Sequence, residues 1–181
     1  MFETARLLLL RPDEVTAAAA ADYVTRNREF LAPYEPQRPE NYYTPCGQSD
    51  LLSRQSEDWH EKRACRLYLS PKERPELIIG YINLSNIVMG AFCSCFMGYQ
   101  LDRDYVNRGL MTEAVQRVLR FAFQELGLHR IEGNIMPRNR ASIRVVEKCG
   151  FYNEGLARKY LRINGVWEDH IHFVRRNESM E

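Results

Sequence analysis

Residues 105–114, Tyr-Val-Asn-Arg-Gly-Leu-Met-Thr-Glu-Ala, lie between a β-like segment ending at Leu101 and a long amphipathic helical pattern. A strand, a short loop and a helix start form a geometry that binds phosphate, because the first helical N–H groups lack partners within the helix and the helix dipole makes that end positive. Gly109 lets the backbone approach an anion closely, and Arg108 adds a charge that reaches phosphate oxygens. The stretch predicts a pyrophosphate cradle and a nucleotide-like cofactor, with an ordinary loop-to-helix junction as the alternative.

The composition of the 181-residue chain is typical of one globular domain. The formal net charge of +1 argues against general affinity for nucleic acid, so we expect no direct DNA binding. No apolar run reaches about 18 residues and the start of the chain does not resemble a signal peptide, so we expect no membrane association. Five cysteines, an odd number, favour reduced thiols. These features fit a cytoplasmic enzyme. Cys93 and Cys95 lack a second pair at zinc spacing, and His170 and His172 lack a third ligand, so we expect no metal. The chain is expected to be a monomer or a homodimer.

The first part of the chain alternates apolar runs with helical periodicity. A buried strand over residues 6–11 precedes an alanine-rich helix that ends near residue 28, with Asp13 as its expected N-cap. Residues 30–47 contain four prolines and are expected to be irregular, and a second helix covers residues 49–63. The next strands are predicted at residues 66–70, 77–84 and 91–101.

The second part begins with the helix after Gly109, which is expected to end near residue 126. A strand over 130–136, a helix over 141–149 and strands over 151–163 and 166–174 should follow. Asn164-Gly165 is a strong hairpin signal between the last two strands, and Gly98 inside a strand indicates a bulge or a close backbone approach. The order βαα–βββ–α–β–α–ββ predicts an α/β (α+β) domain, a mixed sheet with helices on both faces.

Three motifs resemble those of the GNAT acetyltransferases in order and spacing. Residues 107–114 look like the acetyl-CoA motif of that family. Residues 129–132 and 137–142 resemble the next strand and its Pro-x-Asn-x-x-Ser segment, and residues 145–155 resemble the Gly-Phe and Glu-Gly landmarks that follow. The resemblance implies acetyl-CoA as cosubstrate, CoA as product, and a mostly antiparallel sheet in which strands 91–101 and 130–136 splay apart around the pantetheine arm.

A narrower resemblance, to the RimJ-type members of the family, covers nearly the whole chain and includes residues 27–36, 90–92, 98–101 and 160–170. It implies acetylation of the N-terminal alanine α-amine of ribosomal protein S5, free or in a pre-ribosomal particle. It also implies one domain, 1–181, with an acceptor half (1–90) and an acetyl-CoA half with the C-terminal hairpin (91–181). A small-molecule amine as acceptor, or a non-catalytic acetyl-CoA-binding role in ribosome assembly, is the alternative.

The resemblance also implies a cofactor site. The pyrophosphate would lie on residues 106–111 with the Thr112 hydroxyl beside it, and a backbone N–H near Gln100 or Leu101 would stabilise the oxyanion. Val106 stands where the family usually has Gln or Arg, so Arg108 or Arg103 would supply the missing contact. Asn139 would hold pantetheine or water, or cap the following helix. The full expected set is Gln100, Leu101, Val106, Asn107, Arg108, Gly109, Leu110, Met111, Thr112 and Asn139.

Four residues are candidates for proton transfer. Ser142 is the first candidate for protonating the departing thiolate, with helix capping as its alternative role, and the phenols of Tyr99 and Tyr160 are its rivals. Glu35, in the proline-rich loop, is the first candidate for the base, with a solvated loop charge as the alternative.

The base is the least defined role. Glu132 and His170 are further candidates, and water or backbone carbonyls would suffice for an α-amine, whose pKa is about 8. The acceptor is expected to contact Phe30, Tyr34, Glu35, Phe92, Tyr160 and Trp167, although Trp167 also fits packing at the rim.

Overall fold

The computed structural model describes residues 2–181, and its strands form one sheet. The strands are β1 (Phe2–Glu3), β2 (Leu7–Leu10), β3 (Cys65–Pro71), β4 (Gly80–Val88), β5 (Ser94–Leu101), β6 (Arg130–Ile135), β7 (Tyr152–Ile163) and β8 (Val166–Arg176). The α-helices are α1 (Ala17–Arg26), α2 (Arg28–Leu31), α3 (Pro45–His60), α4 (Leu110–Gln124) and α5 (Arg140–Lys148).

The sheet has the order β1-β2-β3-β4-β5-β6-β8-β7. Neighbouring strands are antiparallel except β5 and β6, which run parallel. This confirms the predicted mixed, mostly antiparallel sheet.

The parallel pair opens partway along its length. Register partners join Ser94–Phe96 to Arg130–Glu132, and both strands then continue without pairing to one another. Residues 97–101 and 133–135 therefore face a gap in the middle of the sheet. The predicted splay of these two strands is confirmed, and the gap positions the site described below.

Helices cover both faces of the sheet, as predicted. On one face, α4 and α5 bury their apolar sides against Leu67, Ile82 and Met97. On the other face, Tyr23 of α1 packs with Tyr81 in a second cluster. Because successive strand residues point to opposite faces, each residue beside the gap faces one cluster or the other. The two faces are called here the α4/α5 face and the α1 face.

Several predicted boundaries were wrong for local reasons. Residues Pro12–Glu14 form a 3-10 turn, so the first long helix begins after Thr16, whose side chain accepts from the Ala19 N–H, and Asp13 is not its N-cap. Thr44 caps α3 and accepts from Gly47, which places that helix start four residues before residue 49. The strand expected at 77–84 runs from Gly80 to Val88.

The predicted bulge at Gly98 was also wrong. Gly98 pairs regularly with Asn83, and the register of these two strands shifts between Ser85 and Val88 instead. The hairpin turn is confirmed, since Asn164 and Gly165 both have positive φ values, 45° and 84°. All five cysteines are free. Within residues 2–181, every helix is too short or too polar to cross a bilayer.

Candidate active site

A cleft of about 680 Å³ lies where β5 and β6 separate. Its walls come from residues 30–38, the part of β5 that does not pair with β6 (residues 97–101), the loop before α4, the first turns of α5, and His170 of β8. The side chain of Tyr99 points to the α4/α5 face, where it contacts α5, whereas the side chain of Gln100 points to the α1 face. The cleft therefore passes through the sheet and can receive one reactant from each face.

The start of α4 forms an anion cradle. Gly109 adopts a left-handed conformation with φ of 76°, and no side chain caps the helix. The N–H of Glu113 donates to Gly109 O at 3.1 Å, and the three preceding amides lie before the first intrahelical bond. A Cβ at Gly109 would meet only the Arg6 guanidinium, 3.6 Å away, so the space in front of these amides is open.

Arg6, which is not among the predicted site residues, fixes this cradle from the segment between β1 and β2. Its guanidinium donates to Arg108 O at 2.9 Å and to Glu113 Oε2 at 2.8 Å, and the backbone N–H of Arg6 donates to Glu113 Oε1. Burial opposes ionisation of Glu113, but hydrogen bonds from Thr4 and Arg6 outweigh it and hold the pKa of this carboxyl below its usual value. Glu113, in the first turn of α4, therefore stays ionised, and the charge of Arg6 compensates it beside the anion site.

The first turns of α5 form the opposite wall on the same face. Asn139 caps this helix, because its Oδ1 accepts from the Ser142 N–H at 3.2 Å. Tyr99 donates from its hydroxyl to Ser142 O at 2.9 Å, and burial raises the pKa of this phenol. Arg144 and Lys148 also line the cleft. They lie four residues apart on α5, so both cations are on the same side of this helix.

On the α1 face, Glu35 is buried, with 6% of its surface exposed. Its Oε2 accepts from Gln100 Nε2 at 3.0 Å and lies 3.7 Å from Arg38 Nε. The backbone N–H of Asn164, in the hairpin turn, donates to Glu35 O at 3.1 Å. The alternative of a solvated loop charge is therefore wrong for Glu35, which is fixed between β5 and the β7–β8 hairpin.

His170 lies on the same face and is 3% exposed. Its Nδ1 is 3.0 Å from Glu168 O. A carbonyl oxygen only accepts, so Nδ1 carries the proton and Nε2 keeps its lone pair in the neutral ring. Burial lowers the pKa of His170. The histidine is therefore neutral at physiological pH and has the form of a proton acceptor.

Most of the predicted site residues line this one cleft. They are Phe30, Tyr34, Glu35, Tyr99, Gln100, Leu101, Val106, Asn107, Gly109, Leu110, Met111, Thr112, Asn139 and Ser142. The structure brings them together from segments that are more than 100 residues apart in the chain.

Four predicted residues lie outside the cleft lining. The guanidinium of Arg108 lies over the Tyr105 ring, 5.1 Å from its centroid. Phe92 and Trp167 are 72% and 58% exposed. Tyr160 reaches only the edge, where its hydroxyl accepts from Asn134 Nδ2 at 3.3 Å.

Two other candidates have partners of their own. Arg103 lies 3.8 Å from Asp104, its sequence neighbour. Glu132 lies 3.0 Å from both Arg130 and His172. Neither residue lines the cleft.

The cleft fits acetyl-CoA. The cradle offers free amides to a pyrophosphate, and Arg144 and Lys148 add positive charge to the lining of the same cleft. The separated strands offer unpaired backbone groups to an amide-containing arm. Asn134 Oδ1 and Gln100 Oε1, one from each side of the gap, are buried without hydrogen-bond partners in residues 2–181. These atoms are placed to accept hydrogen bonds from bound reactants.

Comparison with known proteins identifies the family of the chain. The model of the family described as the acetyltransferase (GNAT) domain matches residues 6–152. The chain is 41% identical over 168 residues to the probable N-acetyltransferase YjcK of Bacillus subtilis, covering 91% of each chain. It is 36% identical over 168 residues to the [ribosomal protein uS5]-alanine N-acetyltransferase of Escherichia coli, covering 93% of this chain and 86% of that one.

The crystal structure of ribosomal-protein-S5-alanine acetyltransferase from Vibrio fischeri superimposes with a TM-score of 0.91 at 36% identity, covering 100% of this chain and 97% of that one. More distant structures with the same fold, with TM-scores of 0.85 and 0.81, were solved with coenzyme A and with acetyl-CoA. The fold, the cleft and the matched motifs lead to one conclusion: this chain belongs to the GNAT family of acetyltransferases, whose usual cosubstrate is acetyl-CoA.

Proposed function

We propose that this enzyme transfers the acetyl group of acetyl-CoA to the α-amine of an N-terminal alanine on a ribosomal protein of the S5 type. The observation that carries the proposal is the cleft through the sheet, which has an anion cradle on the α4/α5 face and an open groove with a buried carboxylate on the α1 face. The 36% identity to the uS5-alanine enzyme of Escherichia coli extends along nearly the whole chain and supports this acceptor.

Acetyl-CoA supplies the acetyl group as an activated thioester when it is bound. The amides that begin α4 hold its pyrophosphate, and Arg144 and Lys148 neutralise its phosphates. The free edge of β5 beyond Phe96 holds the pantetheine arm, and a backbone N–H near Gln100 or Leu101 faces the carbonyl oxygen that becomes negative.

The acceptor amine enters from the α1 face. Glu35 Oε2 and the unpartnered Gln100 Oε1 are acceptors for an ammonium group, and they orient it toward the gap. His170 Nε2 then takes the proton that the amine loses, because the neutral ring has this nitrogen free. A weak base suffices for this proton transfer, because an α-amine has a pKa of about 8 and is already partly neutral at physiological pH.

The departing thiolate lies on the other face. Of the three hydroxyls predicted as acids, Tyr160 is outside the lining and Tyr99 donates to a backbone carbonyl. The hydroxyl of Ser142 is the remaining donor on the α4/α5 face. Base and acid are thus assigned to opposite faces of one sheet, so that a proton is removed on one side and delivered on the other.

Thiol release from acetyl-CoA tests the proposal with three acceptors. The first is a peptide copying the N-terminus of an S5-type ribosomal protein, the second is the same peptide with a blocked α-amine and free lysines, and the third is a polyamine. Turnover of the first peptide alone supports α-amine transfer. Turnover of the polyamine alone would contradict it and indicate that Glu35 serves a small cationic acceptor. Silence with all three, despite acetyl-CoA binding, would indicate the non-catalytic role.

A further inference from the structure

Arg66 is a cation of the acceptor groove without an acidic partner. It lines the cleft from β3, and its guanidinium lies over the Tyr81 ring, 4.0 Å from the centroid. Its Nε is buried without a hydrogen-bond partner, and it forms no salt bridge with any residue from 2 to 181. Burying an unpaired charge is costly, so this arginine is suited to an anion supplied from outside the chain.

The neighbouring arginines differ in this respect. Arg38, the other arginine of the acceptor groove, lies 3.7 Å from Glu35. Arg63 lies 2.8 Å from Asp58, the acidic residue that shares a second cavity with Arg66. Both nearby carboxylates therefore have partners already, and Arg66 is the cation that stays uncompensated at this position.

Strand register places Arg66 relative to the gap. Arg66 pairs with Asn83, and Asn83 pairs with Gly98 at the edge of the gap. Two strand spacings separate Arg66 from Gly98, which is about 10 Å between Cα atoms. An extended peptide rises about 3.3 Å per residue, so about three residues span this distance.

The groove continues past Arg66. A second cavity of about 350 Å³ shares Arg66, Asn83 and Ser85 with the main cleft and extends toward Gln55 and Asp58 of α3. An acceptor that reaches Arg66 therefore has room beyond it. This continuation favours a chain over a compact small molecule.

We propose that the acceptor carries an aspartate or glutamate within its first four residues, and that Arg66 binds this carboxylate while the α-amine lies at the gap. The proposal rests on the proposed function and adds a sequence requirement to it. Arginine binds carboxylates through two parallel N–H groups, so the contact fixes the direction of the peptide as well as its charge.

The test is a peptide scan with the intact enzyme. Peptides begin with alanine, continue with serine and glycine, and carry one glutamate or one glutamine at positions two to six. At one of positions two to four, we expect the glutamate peptide to have a kcat/KM about tenfold or more above that of the glutamine peptide. The gain should come from a lower KM. A tenfold change is the effect expected of one charge-assisted hydrogen bond. Equal rates for every glutamate–glutamine pair would overturn the proposal and leave α-amine transfer intact.

Variants then assign the effect to this residue. In Arg66→Met the glutamate preference should disappear, and Arg66→Glu should prefer a lysine peptide instead. Arg120→Met, on the exposed side of α4, is the matched control and should keep the preference. A glutamate preference that survives in both Arg66 variants would overturn the assignment. A free amino acid that is acetylated with the same Arg66 dependence, while no peptide reacts, would show a small carboxylate acceptor and overturn both proposals.

Discussion

The hydroxyl of Tyr99 and the carbonyl oxygen of Ser142 are joined by a hydrogen bond of 2.9 Å across the α4/α5 face of the cleft. Tyr99 belongs to β5 and Ser142 to the first turn of α5, so this bond ties the free part of the central strand to the helix beside the cradle. It also occupies the phenol proton, which burial makes harder to remove.

Removing the Tyr99 hydroxyl should therefore loosen the site without eliminating catalysis. We expect Tyr99→Phe to lose about 1 kcal/mol of folding free energy, the size of one hydrogen bond, and to raise KM for acetyl-CoA more than it lowers kcat. Steady-state kinetics and denaturant unfolding measure both. Tyr152→Phe, on the exposed side of β7, is the control. A loss of kcat beyond about a hundredfold with unchanged KM would instead make Tyr99 the acid.

The cradle makes a prediction for Gly109. Gly109→Glu puts a bulky anion in front of the amides that begin α4, so we expect acetyl-CoA binding to be abolished in calorimetry. Gly90→Glu controls for backbone strain, since Gly90 has nearly the same φ, 74° against 76°, and open space around its Cα. Unchanged affinity in the Gly109 variant would show that the cofactor binds elsewhere.

Ser142 can be separated from cofactor binding. Ser142→Ala keeps the N–H that Asn139 caps and removes only the hydroxyl. We expect kcat to fall about a hundredfold, as for loss of a general acid, with little change in acetyl-CoA affinity. Ser53→Ala, on the exposed side of α3, should have no effect. A normal rate in Ser142→Ala would remove this residue as the acid.

Local patterns allowed much of this site to be predicted from the sequence. The cradle, the hairpin turn and the cap of α5 each depend on a few neighbouring residues, such as Gly109 and Asn164-Gly165. The N-cap of the first helix was missed because Asp13 and Thr16 are both good caps. The 3-10 turn over Pro12–Glu14 decides between them in the structure.

Long-range contacts explain what could not be predicted. Glu35 is buried by Gln100 and by the hairpin turn, which are 65 and 129 residues away in the chain. Arg6 acts on Glu113, 107 residues away. That Arg66 lacks an acidic partner becomes clear only from the ion pairs that Glu35 and Asp58 form with other arginines. Composition and spacing do not contain these relationships.

The pH dependence should identify His170. Its folded-state pKa lies below 6.5 because burial disfavours the charged ring. In a plot of log kcat/KM against pH for an α-amine peptide, we expect the downward slope toward low pH to increase by one unit below pH 6.5. His170→Gln should lack this inflection. His60→Gln, at the end of α3, is the control. The same inflection in His170→Gln would exclude His170 as the base.

The same residue affects stability with a definite sign. Between the lowered pKa of folded His170 and the ordinary value near 6.5, the unfolded chain binds more protons than the folded one. The free energy of unfolding should therefore decrease as pH falls through this interval, and the decrease should be smaller in His170→Gln. Urea unfolding at pH 7.5 and 5.5 measures the difference, and equal decreases in the two proteins would contradict it.

The separation of β5 from β6 makes the folding stability of this protein depend on the concentration of acetyl-CoA. A strand edge without a partner in the centre of a sheet is a place where a fold opens first. A ligand that fills the gap stabilises the folded state by an amount that grows with the logarithm of its concentration above Kd, about 2.7 kcal/mol at a hundredfold excess. Amide hydrogens of residues 97–101 should then exchange more slowly as acetyl-CoA rises. The lifetime of the protein in a cell would follow the supply of its own acetyl donor.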